Sequence, residues 1–350
     1  MHRKYINYPK KVDLSYYENA RHDIINYFSE DKNLESIYEF GTVQAPGVSD
    51  IDIMLVFKEN PIQKSKYDFR EINNNVFSLV ANGNVIKMDK STFACLEYID
   101  NFKFNLIYGN SIKQNPIPEK LINIREIVSI CDWLPERIKR IQMVLSKSSL
   151  NISWTLCLLN SITYSIKNVE FMTSKIENSD KLFNLISSLR TNWYDLTNPE
   201  LLLEDSLEMS IEVGLDAISK IINILMTKIA INLSDNKYST NDIKVPMHYE
   251  IQLEFDKSLS FNSLEQYRKD KTIRFPGILA HHFINLAYLP TQISKRLSLK
   301  LFNHDINPFL YLENEYINYL YIKSSLISEN LHFLEKNKFK GGLVRYGFYA

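Results

Sequence analysis

Asp50 and Asp52 stand one residue apart at the head of an apolar run, Ile53-Met54-Leu55-Val56-Phe57. The loop before them, Gly41-Thr42-Val43-Gln44-Ala45-Pro46-Gly47-Val48-Ser49, carries two glycines and two hydroxyls. Strand side chains alternate faces, so carboxylates at i and i+2 project to the same side. Hard oxygen ligands so placed suit Mg²⁺, which takes one or two protein carboxylates together with waters and substrate phosphates. Two such ions about 4 Å apart activate an attacking hydroxyl and stabilise a departing pyrophosphate oxygen during in-line displacement. The loop suits phosphate, because its glycines permit turns that expose backbone N–H groups and Thr42 adds a hydroxyl. The expected site therefore has Asp50 and Asp52 on two Mg²⁺ ions, and Gly41, Thr42 and Ser49 against the phosphates of a nucleoside triphosphate.

The string from Gly41-Thr42 to Asp50-Ile51-Asp52 resembles the signature of the DNA-polymerase-β-like nucleotidyltransferase superfamily, in which a Gly-Ser turn precedes Asp-x-Asp on the next strand. Thr42 replaces the serine, keeping the hydroxyl and adding a methyl group, and the turn-to-carboxylate spacing is slightly shorter than in minimal members. The resemblance implies transfer of a nucleoside monophosphate from a nucleoside triphosphate, with ATP a candidate, to a hydroxyl or phosphate, releasing pyrophosphate. It also implies a third carboxylate on a later strand, ligating one metal and helping to deprotonate the acceptor. Asp89, closing the run 85–89, is the first candidate for this catalytic and metal-binding role. Glu97 and Asp100 come next, while Asn84 or Val85 occupies the place where some small relatives carry the acid, and Asn105 is the equivalent in a longer topology. The competing role for Asp89 is a strand-end turn residue. Without a third acid the site would lack general-base assistance, typically worth 10²- to 10⁴-fold, and would still bind nucleotide.

The elements that must position these residues read as mixed α/β. Leu14, Tyr17, Ile24, Ile25 and Phe28 recur at helical spacing, predicting an amphipathic helix on the sheet. Residues 36–40 predict a strand into the Gly41 turn, and 51–57 a central strand covered on both faces. A helix is expected over 66–79, closed by Asn82-Gly83-Asn84, then strands over 85–89 and 102–108. Pro116 and Pro118 mark a change of character, giving an expected boundary at 117/118. Beyond it, helices are expected with Trp133, Ile138, Ile141, Val144 and Leu145 (Asp132 as cap), with Trp154, Leu158 and Ile162, and from Asn198-Pro199 to about 232. Residues 247–255 alternate apolar and polar, predicting a strand that pairs with 272–275 or adds to a sheet edge. Helices are expected again over 277–289, 292–302 and 308–334.

Lys plus Arg equals Asp plus Glu at 41 each, so no general basic field points to a long nucleic acid. No apolar run reaches membrane-spanning length, and the N-terminal residues lack the apolar segment of a secretory signal, so no membrane association and a cytoplasmic location are expected. Cys95, Cys131 and Cys157 show no metal or disulfide spacing. Arg137, Lys139 and Arg140, with Lys113 and Arg125, are either triphosphate-facing cations or a solvated face; adjacent helical residues such as His281 and His282 point apart, and packing is the better reading for them and for the three tryptophans.

The expected fold class is α+β: a small N-terminal nucleotidyltransferase domain with a mixed sheet over 1–117, then a mostly helical bundle over 118–350 with a short β insertion near 245–275. This layout resembles small-molecule nucleotidyltransferases such as the aminoglycoside-modifying enzymes, which implies a small-molecule acceptor chosen by the helical part. Transfer to RNA or protein, and a catalytically silent nucleotide-binding or toxin–antitoxin module, are the alternatives.

Overall fold

The fold is that of a computed structural model, which describes residues 3–58, 72, 76, 85–145, 147–225, 227, 314–339 and 342–343, and the backbone of short strands between 230 and 312. The described residues are α+β, with a mixed sheet and a predominance of helix. They fall into two compact units, one of Lys10–Glu126 with Tyr319–Ala350, the other of Met1–Pro9 with Ile127–Asn318. The chain ends are thus exchanged: the first residues belong with the helices, and the last helix belongs largely with the sheet.

In the sheet unit, α1 (Leu14–Ser29) leads to β2 (Leu34–Phe40), β3 (Asp52–Phe57), β4 (Ile86–Asp89) and β5 (Phe104–Gly109). The strand order is β4-β3-β2-β5, with β3 parallel to β4 and β2 antiparallel to both β3 and β5. Tyr17, Ile24 and Phe28 of α1 join Ile37, Ile53, Leu55 and Phe57 in one apolar cluster. Fully burying each such side chain contributes roughly 2 kcal/mol, which holds the helix to this face. Leu14, expected in the same stripe, is instead exposed, because it opens the helix a turn before the packed segment. The opposite face is aromatic, with Tyr38 stacked on Phe93 at 4.3 Å and Phe104 against both. A short helix, α2 (Lys90–Ala94), follows β4 directly. The last helix, α7 (Asn314–Asn337), ties to β4 through Asn330, whose amide donates to the Lys87 carbonyl and accepts from Leu343 N–H.

The helical unit is built on α3 (Glu119–Leu145), α4 (Ile152–Met172), α5 (Ser179–Thr191) and α6 (Pro199–Ile224). The last three pack on one another. Gly214 of α6 lies where a Cβ would be 3.1 Å from Ile138 of α3 and 3.5 Å from Ile162 of α4. Asp132, expected as a cap, is inside α3, which starts earlier and accommodates Pro135 in its interior at the cost of one backbone bond. Pro199 opens α6 at its first turn, as the start signal predicts, but Asn198 before it is left-handed (φ 54°) and its side chain makes no capping hydrogen bond. At the N-terminus, β1 (Lys4–Ile6) runs parallel to β6 (Ser149–Asn151).

The period-two segment forms β9 (His248–Glu254), as its alternation predicts, and of the two expected placements it takes the first, pairing antiparallel with β10 (Thr272–Pro276). Three expectations are corrected here. Helix α6 ends at Ile224, and Ala230–Ile231 form strand β7 rather than its continuation. Ser298–Phe302 are strand β11 on the other edge of β9, not helix. Phe309–Leu312 are strand β12 between β7 and β8 (Lys244–Pro246), so the last helix begins only at Asn314. Short apolar runs satisfy either period, and strand pairing decides among them. Of the helix expected over 66–79 only Ile72, in a turn, and Val76, helical and buried, are described, and the helix expected over 277–289, with His281 and His282, lies outside the described residues.

Candidate active site

The site is built where β2 leaves the sheet and β3 enters it. Burial alternates through the entry: Ser49 is buried, Asp50 exposed, Ile51 buried, Asp52 half-buried and Ile53 buried. Ile51 and Ile53 belong to the cluster under α1, so Asp50 and Asp52 both look away from it. The carboxylate side of the strand continues through Met54 and Val56. Across the ladder, Asp52 is paired with Phe40, which makes an edge-to-face contact with Phe102 at 6.0 Å.

The loop between the strands is tightly bonded. Gly41 turns at φ +82° and donates its N–H to the Lys103 carbonyl at 3.1 Å. Residues 45–49 form a single turn in which Ser49 N–H bonds Ala45 O at 2.8 Å and Ala45 N–H bonds Ser49 Oγ at 3.1 Å. Gly47, at φ +85°, sits so close to the Lys10 carbonyl that a Cβ would lie 1.6 Å from its oxygen. Only glycine meets both demands. The Tyr17 hydroxyl, wholly buried, accepts from Gly47 N–H at 2.9 Å and donates to the Ser49 carbonyl at 2.7 Å. One turn further along α1, Arg21 forms a two-pronged pair with Glu39 at 2.6 and 2.7 Å, just before the Gly41 turn. The hydrogen bonds that Arg21 donates to the Glu39 carboxylate raise the Arg21 pKa above its ordinary value. Helix α1 therefore grips both ends of the loop.

These bonds refine the expected phosphate cradle. Ser49 is buried and its Oγ serves the loop itself, whereas Thr42 is exposed at the outer end. The amides of Gly41, Ala45, Gly47, Val48 and Ser49 are all bonded within the protein. An incoming anion would meet the segment Thr42-Val43-Gln44 instead.

Asp89 is set apart from the pair in two ways. In the parallel β3–β4 ladder it pairs with Phe57, five residues beyond Asp52, which is roughly 16 Å along the strand. It also has the parity of Ile53, Leu55 and Phe57, so it belongs to the opposite face from Asp52. Its carboxylate caps α2, accepting from Thr92 N–H at 2.7 Å and from the Ser91 hydroxyl at 2.8 Å. The described part of β4 starts at Ile86, opposite Met54, and has no residue beside Asp52; Asn84 lies outside the described residues. Glu97 accepts from Ile117 N–H, Asp100 from Asn101 N–H, and Asn105 is exposed on β5 across from Glu39. Among the described residues, no three Asp, Glu, His or Cys side chains gather as a metal group.

The cations are mostly engaged elsewhere. Arg125 holds Glu126 and the Glu97 carbonyl. Arg137 and Arg140 both pair with Glu136, and Arg137 lies over the Trp133 ring at 4.3 Å. Lys139 is buried rather than solvated, and burial lowers its pKa to about 8. Cys95, Cys131 and Cys157 form no disulfide among the described residues. Sequence reasoning assigned Tyr17 to the core stripe and gave Arg21 and Glu39 no role. The one available signal was chemical: a tyrosine in a buried aliphatic stripe needs a partner for its hydroxyl.

No protein-family model, curated protein or solved structure compared with this chain matches it. Among the described residues, no helix is long and apolar enough to cross a membrane.

Proposed function

We propose that the protein is a metal-dependent nucleotidyltransferase that moves a nucleoside monophosphate from a nucleoside triphosphate to a hydroxyl or phosphate of a small molecule. The observation that carries this reading is the Asp50–Asp52 pair, turned to one side of a central strand by two wholly buried isoleucines and preceded by a loop braced on α1. One exposed and one half-buried carboxylate, both hard oxygen donors with water at hand, fit Mg²⁺. Bound there, the metal would supply charge neutralisation at the phosphates and a more acidic acceptor hydroxyl. The protein's own part is to hold the two carboxylates on one side and to offer the Thr42 end of the loop to the triphosphate. The equal count of acidic and basic residues favours a small acceptor over RNA.

A second reading has a specific observation in its favour. Asp89 stands at the wrong end and on the wrong face to complete a three-carboxylate site. A catalytically silent nucleotide-binding module, such as a toxin–antitoxin component, needs no third acid. The deciding experiment incubates the protein with each of four α-labelled nucleoside triphosphates, Mg²⁺ and a cell extract, beside the Asp50→Ala, Asp52→Ala variant. Label passing to a small-molecule fraction with the wild type alone supports the transferase, and label in RNA or protein redirects the acceptor. Nucleotide binding without transfer supports the silent module.

A further inference from the structure

We infer that Tyr17 is a positioning residue for the metal site, acting on Asp50 through the backbone; this rests on the reading that Asp50 and Asp52 bind metal. The two carboxylates are held by different means. Asp52 is in the ladder, paired with Phe40 of β2. Asp50 precedes the ladder, at the end of the loop. The peptide unit joining Ser49 to Asp50 is planar, so a bond to its carbonyl oxygen restrains the plane, and with it the place of the Asp50 Cα and the N–Cα axis about which its side chain turns. That oxygen is the one bonded by Tyr17 Oη at 2.7 Å.

The same hydroxyl receives Gly47 N–H at 2.9 Å, so a single oxygen spans the turn and cannot follow one end without pulling the other. Gly47 in turn accepts from Lys10 N–H at 3.3 Å, which anchors the turn to the chain entering α1. The phenol is wholly buried and its ring packs against Tyr16 edge-on at 6.5 Å, in the cluster that includes Ile51 and Ile53. The helix that packs against β3 thereby also sets the carboxylate that β3 does not hold. Groups that orient metal ligands from behind typically change metal affinity by 10- to 100-fold when lost. Tyr17 acts one covalent step further back, through a peptide plane, so the lower figure is expected.

The test is Mn²⁺ affinity, read by titration calorimetry on the full chain, for the wild type, Tyr17→Phe, Tyr319→Phe and Asp52→Asn. Tyr17→Phe keeps the buried ring and removes only the hydroxyl. Tyr319→Phe is the matched control, since its hydroxyl is also buried and donates to the Tyr98 carbonyl at 2.9 Å, away from the loop. The expected result is about 10-fold weaker Mn²⁺ binding in Tyr17→Phe and a value within about twofold of wild type in Tyr319→Phe. Hydrogen exchange of the peptide covering residues 44–52 should quicken about 10-fold in Tyr17→Phe alone, as the Gly47 bond is lost. Equal Mn²⁺ binding by wild type and Tyr17→Phe, or an equal loss in Tyr319→Phe, overturns the positioning role and leaves the metal reading standing. Equal binding by wild type and Asp52→Asn overturns the metal reading and the positioning role with it.

Discussion

Replacing Asp89 by Asn and by Ala separates two roles that its position in the sequence leaves open. The structure makes it the cap of α2, with Thr92 N–H at 2.7 Å and the Ser91 hydroxyl at 2.8 Å on one carboxylate oxygen. Asn retains an oxygen that accepts the Thr92 N–H and is as good a cap as Asp, so Asp89→Asn should change stability by less than about 0.5 kcal/mol. Ala has no acceptor, and loss of an N-cap costs about 1 kcal/mol, which for a chain of this size lowers Tm by about 2 °C. Neither change should touch metal binding. Metal ligands lie about 2 Å from Mg²⁺, and two catalytic ions are separated by about 4 Å, against the roughly 16 Å of strand between Asp52 and Asp89. Thermal unfolding should therefore rank wild type and Asp89→Asn together above Asp89→Ala, while Mn²⁺ titration gives one affinity for all three. If Asp89→Asn lost Mn²⁺ affinity or transfer as severely as Asp50→Asn while keeping wild-type stability, the register of β4 on β3 would be wrong and the three-carboxylate site restored.

The remaining predictions concern the carboxylates, the loop, the α1 clamp and the buried lysine. The Asp50→Ala, Asp52→Ala variant should lose transfer to the background level yet unfold in urea at close to the wild-type midpoint, because metal-free carboxylates on one side of a strand repel each other. Gly47→Ala should destabilise by at least about 2 kcal/mol in the same urea assay, since φ +85° disfavours any Cβ and the Lys10 carbonyl must move to admit one. Arg21→Met should cost about 2 kcal/mol by leaving Glu39 buried without its charged partner; Arg21→Met with Glu39→Gln should recover part of that loss in a double-mutant cycle. Lys139 has a folded pKa near 8 against an ordinary value of 10.5, so its burial penalty is full below about pH 8 and relieved as pH rises toward 10.5. Lys139→Met should thus be more stable than wild type at pH 7, with the advantage shrinking by about 2 kcal/mol by pH 9.5, as followed by urea unfolding at both pH values; a constant advantage would show that the lysine titrates normally.

Features carried by local pattern were legible in the chain. Alternation from Ser49 to Ile53 fixes which side Asp50 and Asp52 face, because a strand's period of two is a property of the backbone alone. The same argument identified β9, and a different local signal, Pro199 at the first helical turn, identified the start of α6. Ser298–Phe302 and Phe309–Leu312 misled because short apolar runs fit both periods, and only pairing with β9, β7 and β8 makes them strands.

What tertiary structure alone decided is everything that depends on which distant residues meet. The ladder between β3 and β4 puts Asp89 opposite Phe57, and a shift of register would change both its face and its distance from Asp52. Helix α1 places a buried hydroxyl against residues 47 and 49, some 30 positions away in sequence, and its arginine against Glu39. Asn330 secures the last helix to β4, while Arg3 and Tyr5 bond Glu204 and draw the first residues to the helical unit. Periodicity determines the direction in which a side chain points; the partner waiting there is set by register and chain crossing, which no local pattern encodes.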